Sequence, residues 1–141
     1  MRQEVIMSFE GGCLCGSVRF KVEGDPVAKV QCHCRQCRYI SGGSANLLIG
    51  FLESGLKFTK GKPASYTRPN IDNAAERVFC AECGTPLLSL SPAMPGVALL
   101  KVGSLDDTSV FGKADMAIFM SEKEEYLLVS DEVPQFDTVP S

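Results

Sequence analysis

The chain has 141 residues, of which 45% are hydrophobic, and it carries a formal net charge of -3 at pH 7. This length is sufficient for one domain with a buried core, and no apolar stretch approaches the length of a membrane span. The slightly acidic balance argues against a general nucleic-acid surface. We therefore expect one domain over residues 1–141, with its core at about 9–136, and neither a membrane nor a nucleic acid as partner. The sequence leaves the oligomeric state open.

We expect no export signal in the N-terminal residues. Glu4 and Glu10 interrupt this stretch, and no sustained apolar run precedes Gly11. We therefore expect a cytoplasmic protein, in a compartment that keeps thiols reduced.

Short apolar or alternating segments bounded by glycine and proline follow one another along the chain. Strands are predicted over residues 18–22, 27–31, 45–49, 56–59, 65–67, 87–90, 97–102 and 116–120. Residues 35–41 alone suggest a short helical turn, which Gly42 and Gly43 would end. The predicted fold class is therefore mainly β with little helix.

Seven cysteines fall into three local clusters. They form a C-x-C pair at Cys13 and Cys15, a C-x-C-x-x-C triple at Cys32, Cys34 and Cys37, and a C-x-x-C pair at Cys80 and Cys83. Such clustering, in a chain with an odd number of cysteines and no export signal, favours metal binding over disulfides.

The spacing divides the thiols into four plus three. Two local pairs are the usual ligands of a closed zinc site, so the two pairs are expected to hold a structural zinc, with Gly84 left-handed in its turn. The triple then has no fourth thiol, and a zinc bound by it would keep an open coordination position, as catalytic sites do. The alternative is that both clusters are inert, with the triple completed by a backbone, carboxylate or water ligand.

His33 is the only histidine in the sequence. Neighbouring side chains of an extended chain point to opposite faces, so His33 is not expected to join an ion bound by Cys32 and Cys34. It either supports the site, faces a substrate or is solvated.

An ion held by three thiolates is electron-rich, because the formal charge of zinc with three thiolates is -1. Such a site is a poor activator of water, but it suits an incoming thiol, which would remain a nucleophile as a bound thiolate.

At these cysteines the sequence resembles the glutathione-dependent formaldehyde-activating enzyme family, which includes centromere protein V-like domains. The matching segments are Gly12–Gly16, Cys32–Arg38, Phe79–Thr85, Gly103–Asp107 and Pro134–Phe136. The resemblance covers nearly the whole chain. Two segments depart from the family pattern, Ala117–Phe119 and Glu125–Tyr126, and these bear on the identity of the substrate.

This resemblance implies a fold of several small coiled antiparallel sheets, similar to Mss4-like proteins and stapled by zinc. It also implies two zinc ions per chain: a structural ion at Cys13, Cys15, Cys80 and Cys83, and a catalytic ion at Cys32, Cys34 and Cys37. The implied activity is that of a carbon-sulfur lyase acting on glutathione, or a similar small thiol, and on its S-hydroxymethyl adduct with formaldehyde.

Arg35 and Arg38 lie within the cysteine triple and just beyond it, and we expect them to meet a carboxylate of a glutathione-like substrate. The alternative is that both arginines lie on a solvated surface.

Two other functions fit the cysteine clusters: a non-catalytic, zinc-stabilised β module that binds a partner, and a redox sensor that releases zinc on oxidation.

Overall fold

The computed structural model describes residues 7–140 of the chain, which form two β-sheets with little helix. The strands are β1 (Ser8–Gly12), β2 (Arg19–Glu23), β3 (Ala28–Cys32), β4 (Asn46–Leu52), β5 (Leu56–Lys60), β6 (Ala64–Thr67), β7 (Glu76–Phe79), β8 (Pro86–Leu90), β9 (Val97–Lys101) and β10 (Met116–Ile118). The α-helix is α1 (Arg35–Ile40), and single 3-10 turns cover Glu53–Gly55, Val102–Ser104, Thr108–Phe111 and Met120–Glu122. The predicted mainly β class is confirmed.

The smaller sheet has the strand order β1-β2-β5, and the larger sheet has the order β10-β3-β4-β9-β8-β7-β6. Neighbouring strands are antiparallel except β10, which runs parallel to β3. This strand is shorter than predicted because Phe119 adopts a left-handed conformation, with φ of 54°, directly after it. Two strands, β1 and β7, are additional to the predicted set.

The main core lies between the two sheets. Phe20 and Val22 from β2 pack with Ile49 and Phe51 from β4, and all four side chains are at most 1% exposed. Phe9 of β1 stacks obliquely on Phe51, with ring centroids 5.3 Å apart. Burial of each large side chain contributes roughly 1.5–3 kcal/mol, so this contact joins the sheets firmly.

The opposite face of the larger sheet carries a diagonal row of polar side chains. Register partners share a face, as do residues two apart on one strand. Three register pairs therefore lie on this face: Cys32–Asn46, Leu48–Lys101 and Ser89–Arg77. Ser89 lies on the same face as Lys101 because its register partner on β9, Leu99, is two residues from Lys101. Helix α1 lies against the β3 end of the row, where Cys37 contacts Cys32.

Among residues 7–140, no helix has the length and apolar character that crossing a membrane requires. The stretch on which the expected cytoplasmic location rests, residues 1–10, lies mostly outside the described part of the chain.

Candidate metal centres

The two cysteine pairs meet in one cluster, although 65 positions separate Cys15 from Cys80. The four sulfur atoms of Cys13, Cys15, Cys80 and Cys83 all lie within 4.8 Å of one another, and the group could hold a metal ion. The sulfur of Cys15 lies 3.6 Å from that of Cys13 and 3.8 Å from that of Cys80. These four residues are the closed set predicted from the spacing.

Two similar turns present these sulfurs. In each turn the backbone N–H of the first cysteine donates to the carbonyl oxygen five residues later, at 3.1 Å from Cys13 and 3.0 Å from Cys80. Each turn also requires a left-handed residue, which Gly16 supplies with φ of 80° and Gly84 with φ of 78°. The predicted left-handed Gly84 is confirmed, since a side chain there would strain the turn.

Hydroxyl groups of two side chains lie beside the four sulfurs. The Ser17 hydroxyl oxygen lies 3.0 Å from the sulfur of Cys15 and 3.3 Å from that of Cys80. The Thr85 hydroxyl, 3.1 Å from the sulfur of Cys83, lowers the pKa of that thiol to about 5. Thiolates are the metal-binding form of cysteine, so these contacts prepare the cluster for a cation.

The cysteine triple forms a second cluster at the end of β3 and the start of α1. Its three sulfurs lie within 4.8 Å of one another and could also hold a metal ion. Cys32 and Cys37 are buried, whereas Cys34 is only half-buried. The sulfur of Cys34 caps α1 by accepting the backbone N–H of Cys37 at 3.2 Å. Access from solvent to this cluster is therefore greatest at Cys34.

Within this cluster, the protonation of Cys32 is coupled to that of Cys37. Their sulfurs are hydrogen bonded at 3.3 Å. Contacts with Cys34 and Cys37 raise the pKa of Cys32, and the hydrogen bond with Cys32 lowers the pKa of Cys37. Cysteines bind a metal as thiolates, so a bound ion would replace the hydrogen bond between these two sulfurs.

His33 is fully buried, so the expectation that it might be solvated is wrong. Neither of its ring nitrogens has a hydrogen-bond partner among the described residues, and it is not part of the cysteine cluster. Burial lowers the pKa of the imidazole, which keeps the ring neutral beside the cluster.

The two predicted substrate arginines have different surroundings. Arg38 forms an ion pair with Glu124 at 2.6 Å, and its side chain is only 10% exposed. Arg35 is exposed, and its guanidinium lies 4.1 Å above the centre of the Tyr39 ring. Of the two, Arg35 is therefore the more accessible to solvent.

Four polar residues near the triple were missed by sequence reasoning: Asn46, Arg77, Ser89 and Lys101. Lys101 ends an otherwise apolar strand, Val97–Lys101, and is 8% exposed. The sequence signal that could have identified Lys101 is its position at the end of a strand that is predicted to lie in the core. The other three gain their position only from strand register.

The profile of the family described as glutathione-dependent formaldehyde-activating enzyme matches residues 8–122. A Halomonas elongata protein named "Putative glutathione-dependent formaldehyde-activating enzyme" is 31% identical over 94 residues, which are 63% of this chain and 60% of that protein. The chain thus spans less than two thirds of the length of that relative.

A crystal structure of a Rhodobacter sphaeroides protein superposes with a TM-score of 0.60 at 20% identity. The match covers 74% of this chain and 96% of the other, and it supports the fold. The family match includes all seven cysteines and extends over most of the sequence. The chain belongs to the glutathione-dependent formaldehyde-activating enzyme family.

Proposed function

We propose that this protein is a zinc-dependent carbon-sulfur lyase that acts on a small thiol such as glutathione and on its S-hydroxymethyl adduct. The observation that carries this proposal is the division of seven sulfurs into a closed cluster of four and a cluster of three with a half-buried member, Cys34. Family membership supports the thiol and formaldehyde as reactants. We further propose that residues 1–141 form one cytoplasmic zinc-binding domain.

The donor set fits two zinc ions. Zinc binds thiolates at about 2.3 Å, so a tetrahedral ion separates its sulfur ligands by about 3.8 Å. The distances of 3.6 and 3.8 Å within the closed cluster agree with this value. In the triple, Cys32 and Cys37 are 3.3 Å apart and would separate slightly around an ion. An all-thiolate set also selects a soft metal over magnesium or calcium.

The reaction belongs to the triple because four thiolates complete a structural site, whereas three leave a position for a ligand. Zinc bound there would hold the substrate sulfur as a thiolate. In the forward direction a C–S bond forms, the C=O double bond of formaldehyde becomes a C–O single bond, and the proton of the thiol ends on that oxygen. The reverse direction cleaves the same C–S bond.

Residues of the chain supply positive charge beside the triple and leave one of its cysteines accessible to solvent. Hydrogen bonds with Cys32 and then Cys34 lower the pKa of Cys37 most, and the amide of Asn46 and the positive charge of Lys101 lower it further. They stabilise the negative charge of the cluster, while the half-buried Cys34 marks the side from which a thiol approaches.

The redox-sensor alternative has one observation in its favour, the 3.3 Å contact between Cys32 and Cys37. Both thiols are buried, however, so peroxide has little access to them, and susceptibility to oxidation follows exposure. This geometry favours the lyase.

The test is the rate at which ¹³C-formaldehyde and glutathione form the S-hydroxymethyl adduct, followed by NMR against the spontaneous reaction. We expect zinc-loaded protein to accelerate the reaction and Cys34→Ser to abolish the acceleration. The matched control is Ser91→Cys, which adds a thiol to a loop outside both clusters and should leave the rate unchanged. A rate equal to the spontaneous one in fully metallated parent protein would refute the proposal.

A further inference from the structure

Two cations on the polar face of the larger sheet share one hydroxyl group. The ammonium nitrogen of Lys101 on β9 lies 3.2 Å from the hydroxyl oxygen of Ser89 on β8. A guanidinium nitrogen of Arg77 on β7 lies 3.5 Å from the same oxygen. Strand register places the three side chains together, so they form a fixed arrangement on a sheet and not on a loop.

Neither cation of this pair is neutralised by a carboxylate of the described residues. Among residues 7–140, neither Lys101 nor Arg77 takes part in an ion pair. Lys101 is 8% exposed, and a buried charge without a partner is costly. Burial accordingly lowers the pKa of Lys101 to about 8, although the amine remains mostly charged at pH 7. The described residues therefore provide no carboxylate that pairs with either cation.

The two cations line an open groove between α1 and strands β6 to β8. Its inner part has a volume of about 410 Å³ and is lined by Arg77, Ser89 and Lys101, with Tyr39 and Tyr66 at the sides. An outer part of about 340 Å³ continues past Arg77. No Asp or Glu among the described residues lines either part. In a chain with net charge -3, this concave positive surface would concentrate anions.

The groove and the cysteine triple share helix α1, since Gln36, the neighbour of Cys37 on this helix, lines the outer part of the groove. Helix α1 carries Cys37 toward Cys32, and its residues Tyr39 and Ile40 form one wall of the groove. One molecule that binds the triple through sulfur can therefore extend along the groove toward Lys101 and Arg77.

We propose that Lys101, Arg77 and Ser89 form a binding site for a carboxylate of the thiol substrate, an inference that rests on the proposed function. The planar guanidinium can donate two parallel hydrogen bonds to a carboxylate, and the ammonium adds a charge-assisted bond from the floor of the groove. The site selects thiols that carry a carboxylate over neutral thiols. It also assigns this selection to residues other than Arg38, which Glu124 already neutralises.

The test uses zinc-loaded, full-length protein and S-methylglutathione, which has carboxylates but no free thiol. Its affinity is measured by isothermal titration calorimetry, with S-methylglutathione diethyl ester, which lacks both carboxylates and keeps the ammonium group, as the counterpart. We expect Arg77→Gln and Lys101→Met each to weaken S-methylglutathione by about ten-fold or more, since losing one partner of a desolvated charge pair costs upwards of 1.4 kcal/mol. Lys57→Gln, an exposed lysine on β5, is the matched control and should change the affinity less than about two-fold.

Lys101→Met keeps the length of the side chain and removes a buried charge, so it should fold, as circular dichroism will verify. Equal binding of the acid and its diethyl ester to the parent protein, no binding of the acid at millimolar concentration, or no effect of either variant would overturn the site. A separate titration of cobalt-substituted protein with 2-mercaptoethanol reports thiol ligation alone. A response there without carboxylate selection refutes only this site, whereas carboxylate selection without a thiol response refutes only the proposed function.

Discussion

Replacing Cys80 by serine removes one of the four sulfurs that join two distant turns of the chain. Cys80 is 1% exposed and lies 3.8 Å from Cys15, its partner 65 positions earlier. A metal ion in this cluster is a cross-link between the two turns, and its binding free energy contributes to folding because the four ligands come together only in the folded chain. Cys80→Ser should therefore destabilise the whole domain.

The size of this effect follows from the loop that the cross-link closes. The chain-entropy relation for cross-links gives about 4 kcal/mol for a loop of 65 residues. The same relation gives about 2 kcal/mol for the five positions between Cys32 and Cys37. In Cys34→Ser the hydroxyl can still cap α1, so the loss there should be at the lower value or below.

Thermal unfolding followed by circular dichroism, with metal content measured on the same samples, will test the difference. A loss of about 4 kcal/mol corresponds to a fall in melting temperature of about 10–15 °C for a domain of this size. Cys37→Ser serves as the control for burying a hydroxyl, because Cys37 is 6% exposed. Equal falls for Cys34→Ser and Cys80→Ser would refute the assignment of one structural and one open cluster.

Two further predictions concern stability. Gly61 and Gly96 both have positive φ, but a Cβ added at Gly61 would lie 2.0 Å from the Ser17 carbonyl oxygen, whereas one added at Gly96 would meet nothing within 4 Å. Gly96→Ala should therefore lower the free energy of unfolding by about 1–2 kcal/mol, as urea unfolding will measure. Gly61→Ala should lower it more and should also weaken metal retention at the closed cluster, as metal analysis will report. Arg19 lowers the pKa of Asp106, so the stability from this pair is present above the unfolded pKa of Asp and is lost as the pH falls through the folded pKa. Because both side chains are partly exposed, Asp106→Asn should reduce the loss of unfolding free energy at acid pH by less than about 1 kcal/mol. A larger change would contradict the assignment of Arg19 and Asp106 as a surface ion pair.

The grouping of the cysteines could be predicted from sequence because it depends on local spacing. Cys13 and Cys15, like Cys80 and Cys83, occupy single turns whose glycines allow the required backbone. Most strands were also predictable, since their alternation is a local signal. The first strand, Ser8–Gly12, escaped because two of its five residues are glycines, which disfavour strands in general.

The polar row beside the triple could not be predicted, because it depends on which strands become neighbours. Ser89 reaches Lys101 only through the register of β8 with β9, and Arg77 reaches Ser89 only through that of β7 with β8. The burial of His33 is a tertiary effect of the same kind. Residue spacing carries no information about such cross-strand partners.

Cobalt substitution tests most directly the claim that one metal site is closed and the other open to a thiol. We expect two cobalt ions per chain, with sulfur-to-cobalt absorption. Addition of glutathione or 2-mercaptoethanol should change the visible spectrum of only one of the two ions. Cys34→Ser should remove that change and leave the spectrum of the closed site intact. A fully metallated protein whose spectrum no small thiol alters, or a chain that binds no metal and contains disulfides, would contradict the account.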